Sequence, residues 1–493
     1  MRRHLRRFGL LAVLLSAAPA LGTPPVIQRK TLPDGLEVLV VENHGLPLVT
    51  VQIAVRNGSM TEPPDYNGLS HLYEHMFFKA NQALPDQEAW LARARALGVI
   101  WNGTTNTERV NYFFTTTADH FGDTMVFMRD AIVSPLFDAK ELERERVVVT
   151  GEIDRNEANP FYHFNHAVME RVFWKYPSRK DPLGNRDTVL HASVEQMKTI
   201  QQRYYVPNNS ALLVTGDVRA EEVFAQAEQL YAGWARAADP FVEHPLVQHP
   251  PIPASSVVLV LQPVRAVAGE FVWEGPSTVG KDVELTYAAD LLSLAIRESS
   301  SRFQRDLVDS GACLTVGLNW STQMNVGPIT AFFQATPEKV DACVKALIDE
   351  LPKLNDPTVV TDEELKTAGF HAEIDEVRER EKPSSLASSL SFWWTSAGLD
   401  YYLGYVDNMK RVTRAQISRY LEQYILGKPF VFGALVSPQM VSDAHLDQAH
   451  FEQLVGARPW NAPQDEASPA SKKAGAKKGK VQGATGSTKE GSR

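Results

Sequence analysis

Cysteine is scarce in this sequence: the 493 residues contain only two, Cys313 and Cys343. A chain of this length with two cysteines is not a disulfide scaffold, and the two are too isolated to form a zinc knuckle. We interpret both as small buried apolar residues, and the sequence leaves open whether they pair. The fold must therefore rest on a hydrophobic core, for which 44% hydrophobic residues supply ample material.

Positive charge is also in short supply, because 50 Lys and Arg residues face 59 Asp and Glu residues, a formal net charge of -9. Both ends of the chain are basic, so the part between them is more acidic still. Such a protein has no excess of cations to displace the counterions of a nucleic acid, which argues against general nucleic-acid binding. The acidity could attract cationic peptides, or it could simply keep the protein soluble.

Long hydrophobic runs are absent as well, since no segment reaches the ~20 apolar residues that span a bilayer. The apolar stretch 8–15 is much shorter, follows a cluster of Arg residues and precedes Ala18-Pro19-Ala20. This pattern predicts a secretory signal over residues 1–20, cleaved after Ala20, with an uncleaved anchor helix as the alternative. We therefore expect no membrane span in the mature protein and a location in the bacterial periplasm.

The other end of the chain, residues 462–493, consists largely of Ala, Gly, Ser and Lys and has almost nothing to bury. Such a composition predicts a disordered tail. A solvated end is the simpler interpretation, and a cationic arm is the alternative.

The body of the chain has the pattern of an α+β protein. Alternating apolar segments at 36–41 and 48–55 predict antiparallel strands, and helical periods between such segments predict helices that cover the sheet. A proline-rich stretch predicts a linker over residues 241–253. It separates two predicted domains, residues 25–240 and 254–460.

The two predicted domains resemble each other in pattern. In the first, a helix that ends at Tyr204-Tyr205 leads into a strand over 211–215. In the second, a helix that ends near Tyr424 leads into a strand over 430–435, an offset of about 219 residues. This offset is too long for a solenoid repeat and is typical of a duplicated domain, although a coincidence of pattern is the alternative.

The segment from residue 71 to residue 75 reads His-Leu-Tyr-Glu-His, an HxxEH motif. Positions i, i+3 and i+4 lie on one face of a helix, so His71, Glu74 and His75 converge. The two imidazoles can both reach one Zn²⁺ at ~2.0–2.1 Å, which leaves Glu74 free as a general base. The alternative is a surface helix that carries two histidines by chance. A separate apolar stripe can anchor the helix to a core; it consists of Leu69, Leu72, Tyr73, Met76 and Phe77.

A catalytic zinc needs a third protein ligand, and a helix predicted over 138–159 offers one. Asp138 with Glu141 forms a predicted capping box at its start. Glu145 and Glu152 lie seven residues apart and share a face. Glu152 follows the apolar run Val147-Val148-Val149 and would be costly to bury without a positive partner, which a zinc ion would supply. Glu145 lies in a charged stretch and could instead be solvated.

These motifs resemble those of the pitrilysin, insulysin and mitochondrial processing peptidase family of zinc endopeptidases. In that family a Glu follows HxxEH after 76 residues as the third zinc ligand, and 76 residues separate His75 from Glu152. The resemblance further implies that Glu145 is an active-site carboxylate and that the chain forms half of a clamshell peptidase from two homologous domains. It covers nearly all of residues 26–440. The matching flanks are Pro33-Asp34-Gly35-Leu36-Glu37-Val38, Gly58-Ser59 with Glu62-Pro63-Pro64, Gly68-Leu69-Ser70, and Tyr205-Val206-Pro207-Asn208-Asn209 before Gly216.

The resemblance also implies a strand on which the substrate backbone adds as a further strand. Asn102, Gly103 and Thr104 match the family's Asn-Ala-x-Thr edge strand. Glycine in place of alanine makes the match imperfect, and an Asn-Gly turn is the alternative.

One departure from the family lies in the second domain, where the family carries an Arg and a Tyr that stabilise the transition state. Arg302 matches the family's preceding, structural Arg, but Val308 and Leu314 stand where the functional pair belongs. Some members divide the site between two half-size chains. We therefore expect this chain to be the zinc-bearing subunit of a heterodimer whose other subunit carries the Arg and the Tyr.

The predicted function is thus a zinc metalloendopeptidase with one Zn²⁺ per chain, held by His71, His75 and Glu152. Glu74 is the predicted general base, and Glu145 is predicted to orient the cleft or the peptide amine. The alternatives are a non-catalytic docking subunit of the same fold and a zinc-binding protein without peptidase activity.

Overall fold

The computed structural model describes residues 26–463. The predicted secretory signal and all but the first two residues of the predicted tail lie outside this range, so both remain predictions. Within the described range, no helix combines the length and the apolar character that crossing a membrane requires.

Eleven strands and eighteen helices make up the described chain. The strands are β1 (Gln28–Thr31), β2 (Glu37–Glu42), β3 (Leu48–Val55), β4 (Ile100–Thr105), β5 (Val110–Thr117), β6 (Ser210–Gly216), β7 (Ser256–Leu261), β8 (Val267–Glu274), β9 (Thr315–Trp320), β10 (Pro328–Ala335) and β11 (Val431–Val436).

The helices before the predicted linker are α1 (Leu69–Phe77), α2 (Gln87–Ala96), α3 (Phe121–Val133), α4 (Ala139–Glu157), α5 (Pro160–Val172), α6 (Arg186–Leu190), α7 (Val194–Tyr204) and α8 (Ala220–Tyr231), and a single turn, α9 (Pro240–Glu243), begins that stretch. The later helices are α10 (Glu284–Arg297), α11 (Arg302–Gln304), α12 (Val340–Glu350), α13 (Asp362–Glu379), α14 (Pro383–Ser396), α15 (Leu399–Lys410), α16 (Arg414–Tyr424), α17 (Pro438–Ala444) and α18 (Gln448–Val455).

The strands form two sheets with the same internal order. The first sheet runs β1-β2-β6-β3-β5-β4 and the second runs β7-β11-β8-β10-β9, so the second repeats the first without an equivalent of β1. Each sheet contains one parallel pair, β2 with β6 and β7 with β11, and is otherwise antiparallel. The predicted fold class, two helix-covered sheets in an α+β arrangement, is confirmed.

Most sequence-predicted elements agree with the structure to within one residue at each end. The predicted strand 48–55 coincides with β3, whereas 36–41 and 430–435 are each shifted by one residue in β2 and β11. Helices α7 and α16 end at Tyr204 and Tyr424, and each leads into the strand that forms the parallel pair of its sheet, β6 with β2 and β11 with β7. The repeat in the sequence therefore corresponds to a repeat in topology, while the domain boundaries remain a prediction.

Each sheet is covered on one face by a helix from the other half of the chain. Leu390 and Trp394 of α14 pack in one buried cluster with Leu213 of β6 in the first sheet. Reciprocally, Val168 of α5 packs with Leu435 of β11 in the second sheet. Since each buried apolar side chain contributes ~1.5–3 kcal/mol, this exchange of helices makes the two halves depend on each other.

A polar contact also joins the halves, between the β4–β5 turn and the β9–β10 turn. The Glu108 carboxylate accepts hydrogen bonds from the backbone N–H groups of Met324 and Asn325, both at 2.9 Å. Lys180 Nζ donates to the carbonyl oxygens of Asn325 and Val326 in the same turn, and burial lowers its pKa to about 8. The end of β4 is thus tied to the second half.

Cys313 and Cys343 form a disulfide, with a sequence separation of 30 residues. Both residues are buried, as expected, at 4% and 0% exposure. Our interpretation of them as small apolar core residues therefore needs correction, since they also crosslink the segment before β9 to α12.

Candidate metal centre and active site

Helix α1 carries the HxxEH motif, and a buried carboxylate holds its N-terminus. Glu62 accepts hydrogen bonds from the backbone N–H groups of Gly68 and Ser70, at 2.8 and 2.6 Å. These groups have no partner inside the helix, and an acidic residue near them is also favoured by the helix dipole. Burial raises the pKa of Glu62 to about 7, and the two backbone donors oppose that rise. The predicted apolar stripe of α1 is buried throughout.

Helix α4 supplies the two predicted carboxylates and begins one residue later than predicted. Asp138 accepts from the backbone N–H groups of Lys140 and Glu141, but the capping box is not reciprocal, because the Glu141 side chain pairs with Arg144 instead. The apolar run that precedes Glu152 on this helix is buried at only one of its three residues. Val149 is buried, whereas side chains at positions 147 and 148 are 68% and 46% exposed.

Three side chains from α1 and α4 converge on one point. Glu152 Oε2 lies 3.4 Å from His71 Nε2 and 3.6 Å from His75 Nε2, and one ligand atom from each of the three lies within 4.8 Å of the others. Two ligands of a tetrahedral zinc with bonds of ~2.0–2.1 Å are separated by roughly 3.4 Å. Two imidazole nitrogens and one carboxylate oxygen also form a donor set that suits zinc, so these residues fit the ion.

The other nitrogen of His75 is fixed by a carboxylate. His75 Nδ1 lies 3.0 Å from Glu145 Oε2, and Lys79 Nζ lies 2.7 Å from Glu145 Oε1. When Nδ1 carries the proton and donates to Glu145, the lone pair of Nε2 is directed at Glu152 and His71. Glu145 is only 5% exposed, so the alternative of a solvated side chain is wrong.

The pKa values of the two histidines are shifted in opposite directions. Burial lowers the pKa of His71 to about 4, and the neighbouring His75 acts in the same direction, while the backbone of Leu183 opposes them. For His75, burial lowers the pKa, but the hydrogen bond to Glu145 and the charge of Glu152 outweigh it, so the net shift is upward. His71 is thus neutral at pH 7, as a metal ligand must be.

Glu74 lies on the same helix face but turns to the sheet. Its side chain is 8% exposed, and Oε2 accepts a hydrogen bond from Thr105 Oγ1 at 2.6 Å. Burial raises the pKa of Glu74, with the hydrogen bond from Thr105 and the charge of His75 acting against that rise. A buried carboxyl with a raised pKa beside a candidate metal site is typical of a general base.

The predicted substrate strand is part of β4, so the alternative of an Asn-Gly turn is wrong. Asn102, Gly103 and Thr104 pair with Phe113, Tyr112 and Asn111 of β5 in an antiparallel ladder. Strand β4 is the last strand of its sheet, and its other edge pairs with no strand in residues 26–463.

These side chains surround a cavity of about 620 Å³. It is lined by the following residues: His71, Glu74, His75, Phe78, Lys79, Trp101, Asn102, Gly103, Thr104, Thr105, Asn106, Glu145, Val148 and Glu152. A larger cavity, about 700 Å³, lies among residues of α5 and the segment 175–186 and contains none of the convergent side chains. Of these two cavities, the smaller one is therefore the candidate site, because it contains the convergent side chains.

The segment expected to carry the Arg and the Tyr folds as two short helical turns before β9. Arg302 begins α11, and its Nε bonds Asp306 at 3.0 Å. Val308 lies in the following turn, and Leu314 is 49% exposed. Neither of the latter two can donate a side-chain hydrogen bond to a substrate.

Three residues that contribute to the site were not expected from the sequence. Lys79 follows His75 by one helical turn, a spacing that could have indicated its contact with Glu145. Glu62 lies in a flank that matches the family, but neither its contacts nor those of Thr105 could be predicted, because they depend on how the turn before α1 and the strand β4 meet that helix.

Two family descriptions match the chain. "Insulinase (Peptidase family M16)" matches residues 37–184, which include all three convergent side chains, and "Peptidase M16 inactive domain" matches residues 191–368.

Curated relatives carry related names. The chain is similar to "Zinc protease PqqE" of Helicobacter pylori, with 24% identity over 394 residues, 78% of this chain and 87% of the relative. It is also 24% identical over 201 residues to the "Insulin-degrading enzyme homolog" of Dictyostelium discoideum, a match that spans 41% of this chain and only 21% of that longer protein.

Solved structures share the fold. A protease from Helicobacter pylori superimposes with a TM-score of 0.75 at 20% identity and covers 84% of this chain and all of its own. The first half of the periplasmic protease PqqL from Escherichia coli gives a TM-score of 0.71 at 16% identity, covering 87% of this chain and 95% of that one.

Proposed function

The chain belongs to the peptidase M16 (insulinase) family, and from this premise we propose that it is a zinc-dependent endopeptidase that cleaves peptides or small unfolded polypeptides. The observation that carries the proposal is the convergence of His71, His75 and Glu152, whose ligand atoms lie within 4.8 Å of one another. The names of relatives as zinc proteases support the choice of metal.

We assign the metal ligands as the two Nε2 atoms of the histidines and a carboxylate oxygen of Glu152. A zinc ion bound there would polarise a peptide carbonyl and lower the pKa of a bound water molecule towards ~7. Glu145 holds His75 in the tautomer whose Nε2 can bind metal, which is a more specific role than orienting the cleft or the peptide amine.

Glu74 is the proposed general base. Its carboxylate would accept a proton from the attacking water and return it to the amine of the leaving group. Its burial excludes bulk water from the carboxylate, and the adjacent Thr105 restrains it.

The substrate is proposed to bind as an added strand on the free edge of β4, along Asn102, Gly103 and Thr104. Backbone hydrogen bonds to an edge strand recognise an extended peptide with little dependence on its side chains. This mode requires an unfolded segment, which is why we propose peptides rather than folded proteins as substrates.

A second subunit is proposed to complete the site. Val308 and Leu314 stand where the family carries an Arg and a Tyr, and the chain matches only about half (52%) of the periplasmic protease PqqL from Escherichia coli. A homologous subunit that carries the pair would supply the missing donors and close the cavity against water.

We also propose a periplasmic location. The sequence pattern of residues 1–20 supports it, and so does the periplasmic location stated for Escherichia coli PqqL.

A quenched-fluorescence peptide assay tests the function. The zinc-loaded chain should cleave weakly alone and strongly after mixing with an Arg/Tyr-bearing homologue, and a chelator should abolish cleavage. If the chain binds zinc but cleaves no peptide, either alone or with the homologue, the proposed endopeptidase activity is contradicted and a non-catalytic docking subunit is favoured. Full activity from the chain alone would contradict the divided site only.

A further inference from the structure

Strand β4 presents two different faces to its surroundings. Side chains alternate along a strand, so Trp101, Gly103 and Thr105 share one face. That face meets α1 and the residue after it: the ring centroid of Trp101 lies 4.6 Å from that of Phe78, which follows α1, and Thr105 bonds Glu74. The edge proposed to receive substrate and the face that contacts the proposed base therefore belong to the same short strand.

The hydroxyl of Thr105 fixes one oxygen of Glu74. Thr105 Oγ1 donates to Oε2 at 2.6 Å, and Oε1 has no hydrogen bond within the described part of the chain. A carboxylate held by one oxygen keeps the other available for a proton. Such a bond to a charged group is also shorter and stronger than one between neutral groups.

Gly103 provides the space that the carboxylate occupies. A Cβ atom at this position would lie 2.8 Å from both Cγ and Oε1 of Glu74 and 2.9 Å from Cδ. Carbon atoms do not approach so closely, so an alanine here would displace the Glu74 side chain. Because the displaced atoms are the end of a flexible side chain, the change would move Glu74 rather than unfold the strand.

We propose that Thr105 and Gly103 are positioning residues for Glu74, an inference that rests on the proposed role of Glu74 as general base. Thr105 aligns the carboxylate of Glu74 through Oε2. Gly103 has no side chain, which lets the Glu74 side chain pack directly against β4.

Crystal structures of the zinc-loaded full chain test the positions directly. In the wild type the Glu74 carboxylate should bond Thr105, and it should be displaced by about 1 Å or more in Thr105→Val and Gly103→Ala. Thr105→Ser should restore the wild-type position. A carboxylate that keeps its place in both variants, or that leaves Thr105 in the wild type, would overturn the proposal.

Kinetics of the assembled peptidase give the second readout. Thr105→Val and Gly103→Ala should each lower kcat by about ten-fold or more, with KM within about two-fold of wild type and one zinc per chain. Thr105→Ser should recover most of kcat. A rise in KM with unchanged kcat would overturn the proposal, since it would place the residues in substrate binding.

Two substitutions control for loss of a hydroxyl and for gain of a methyl group. Thr115→Val removes a hydroxyl that bonds Thr50 Oγ1 on the same sheet. Gly233→Ala adds a Cβ where no atom lies within 4 Å. Both should leave kcat unchanged. If the wild-type assembly cleaves no peptide, the proposed function fails, and the carboxylate positions still decide whether Thr105 and Gly103 position Glu74.

Discussion

Glu145 Oε2 lies 3.0 Å from Nδ1 of His75, on the side of the imidazole opposite the nitrogen that faces Glu152. A carboxylate in this position fixes the tautomer of a metal-binding histidine and makes its other nitrogen more basic. The same carboxylate pairs with Lys79. Burial acts to raise the pKa of Glu145, but the hydrogen bonds with His75 and Lys79 outweigh it and lower the pKa.

Glu145→Ala should therefore weaken zinc binding by ~10–100-fold, the usual effect of losing such a partner. Competition with a chromophoric chelator measures the affinity. Glu143→Ala, at an exposed position of the same helix, is the matched control and should bind zinc as the wild type does. Equal affinities for the two variants would show that Glu145 does not support His75.

Glu74→Gln should keep one zinc per chain and lose at least ~100-fold in kcat, the low end of the contribution of a general base. The amide has nearly the same shape and can still accept a hydrogen bond from Thr105, but it cannot take a proton. Metal analysis and the peptide assay on the same preparation provide both numbers. Near-normal turnover by this variant would remove Glu74 from the mechanism.

Glu270 makes the stability of the fold depend on pH. It is 8% exposed on β8, its Oε1 has no hydrogen-bond partner among residues 26–463, and burial raises its pKa from 4.5 to about 7. The folded chain therefore holds this proton more tightly than the unfolded chain, so the contribution to stability falls as the pH rises from 4.5 to 7 and then stays constant.

Glu270→Gln should remove this dependence. The free energy of unfolding of the variant minus that of wild type should be larger by about 2 kcal/mol at pH 8 than at pH 5, because only the wild type loses stability over this range. Urea unfolding at the two pH values measures it, with Glu221→Gln, whose side chain is 92% exposed, as the control. If the free energies of unfolding of Glu270→Gln and wild type differ by the same amount at both pH values, Glu270 is not the source of the pH dependence.

The disulfide between Cys313 and Cys343 should stabilise the second half of the chain. Closing a loop of this size in the unfolded chain is worth about 3.6 kcal/mol, so reduction should lower the free energy of unfolding by about that amount. Zinc content should not change, since the candidate site lies at the first sheet. Reductant should not change the free energy of unfolding of a variant with both cysteines replaced by alanine. If it lowers that free energy as much as in wild type, the reductant itself, and not loss of the disulfide, causes the effect.

The sequence was sufficient for the three convergent side chains because their positions follow from helix geometry and from family spacing. Two histidines one turn apart must share a face, and Glu152 was placed by the 76 residues that separate it from His75. The role of Glu145 was only partly predictable, since its contact with His75 depends on how α4 lies against α1.

Other features depend on tertiary packing that no local pattern records. Apolar periodicity indicates that a face is buried but not by which element, so the exchange of α5 and α14 between the two sheets was not foreseen. For the same reason the sequence does not show which valines of the run on α4 are buried, and the helix turns two of the three outward. The bond from Thr105 to Glu74 is a further case, because it joins a strand to a helix 31 residues earlier.

The most direct test of the central claim is the position of the metal in a crystal of the zinc-loaded chain, located by anomalous diffraction at the zinc edge. We predict a single zinc within ~2.0–2.2 Å of Nε2 of His71, Nε2 of His75 and a carboxylate oxygen of Glu152. A zinc bound elsewhere, or one that the two histidines hold without Glu152, would contradict it.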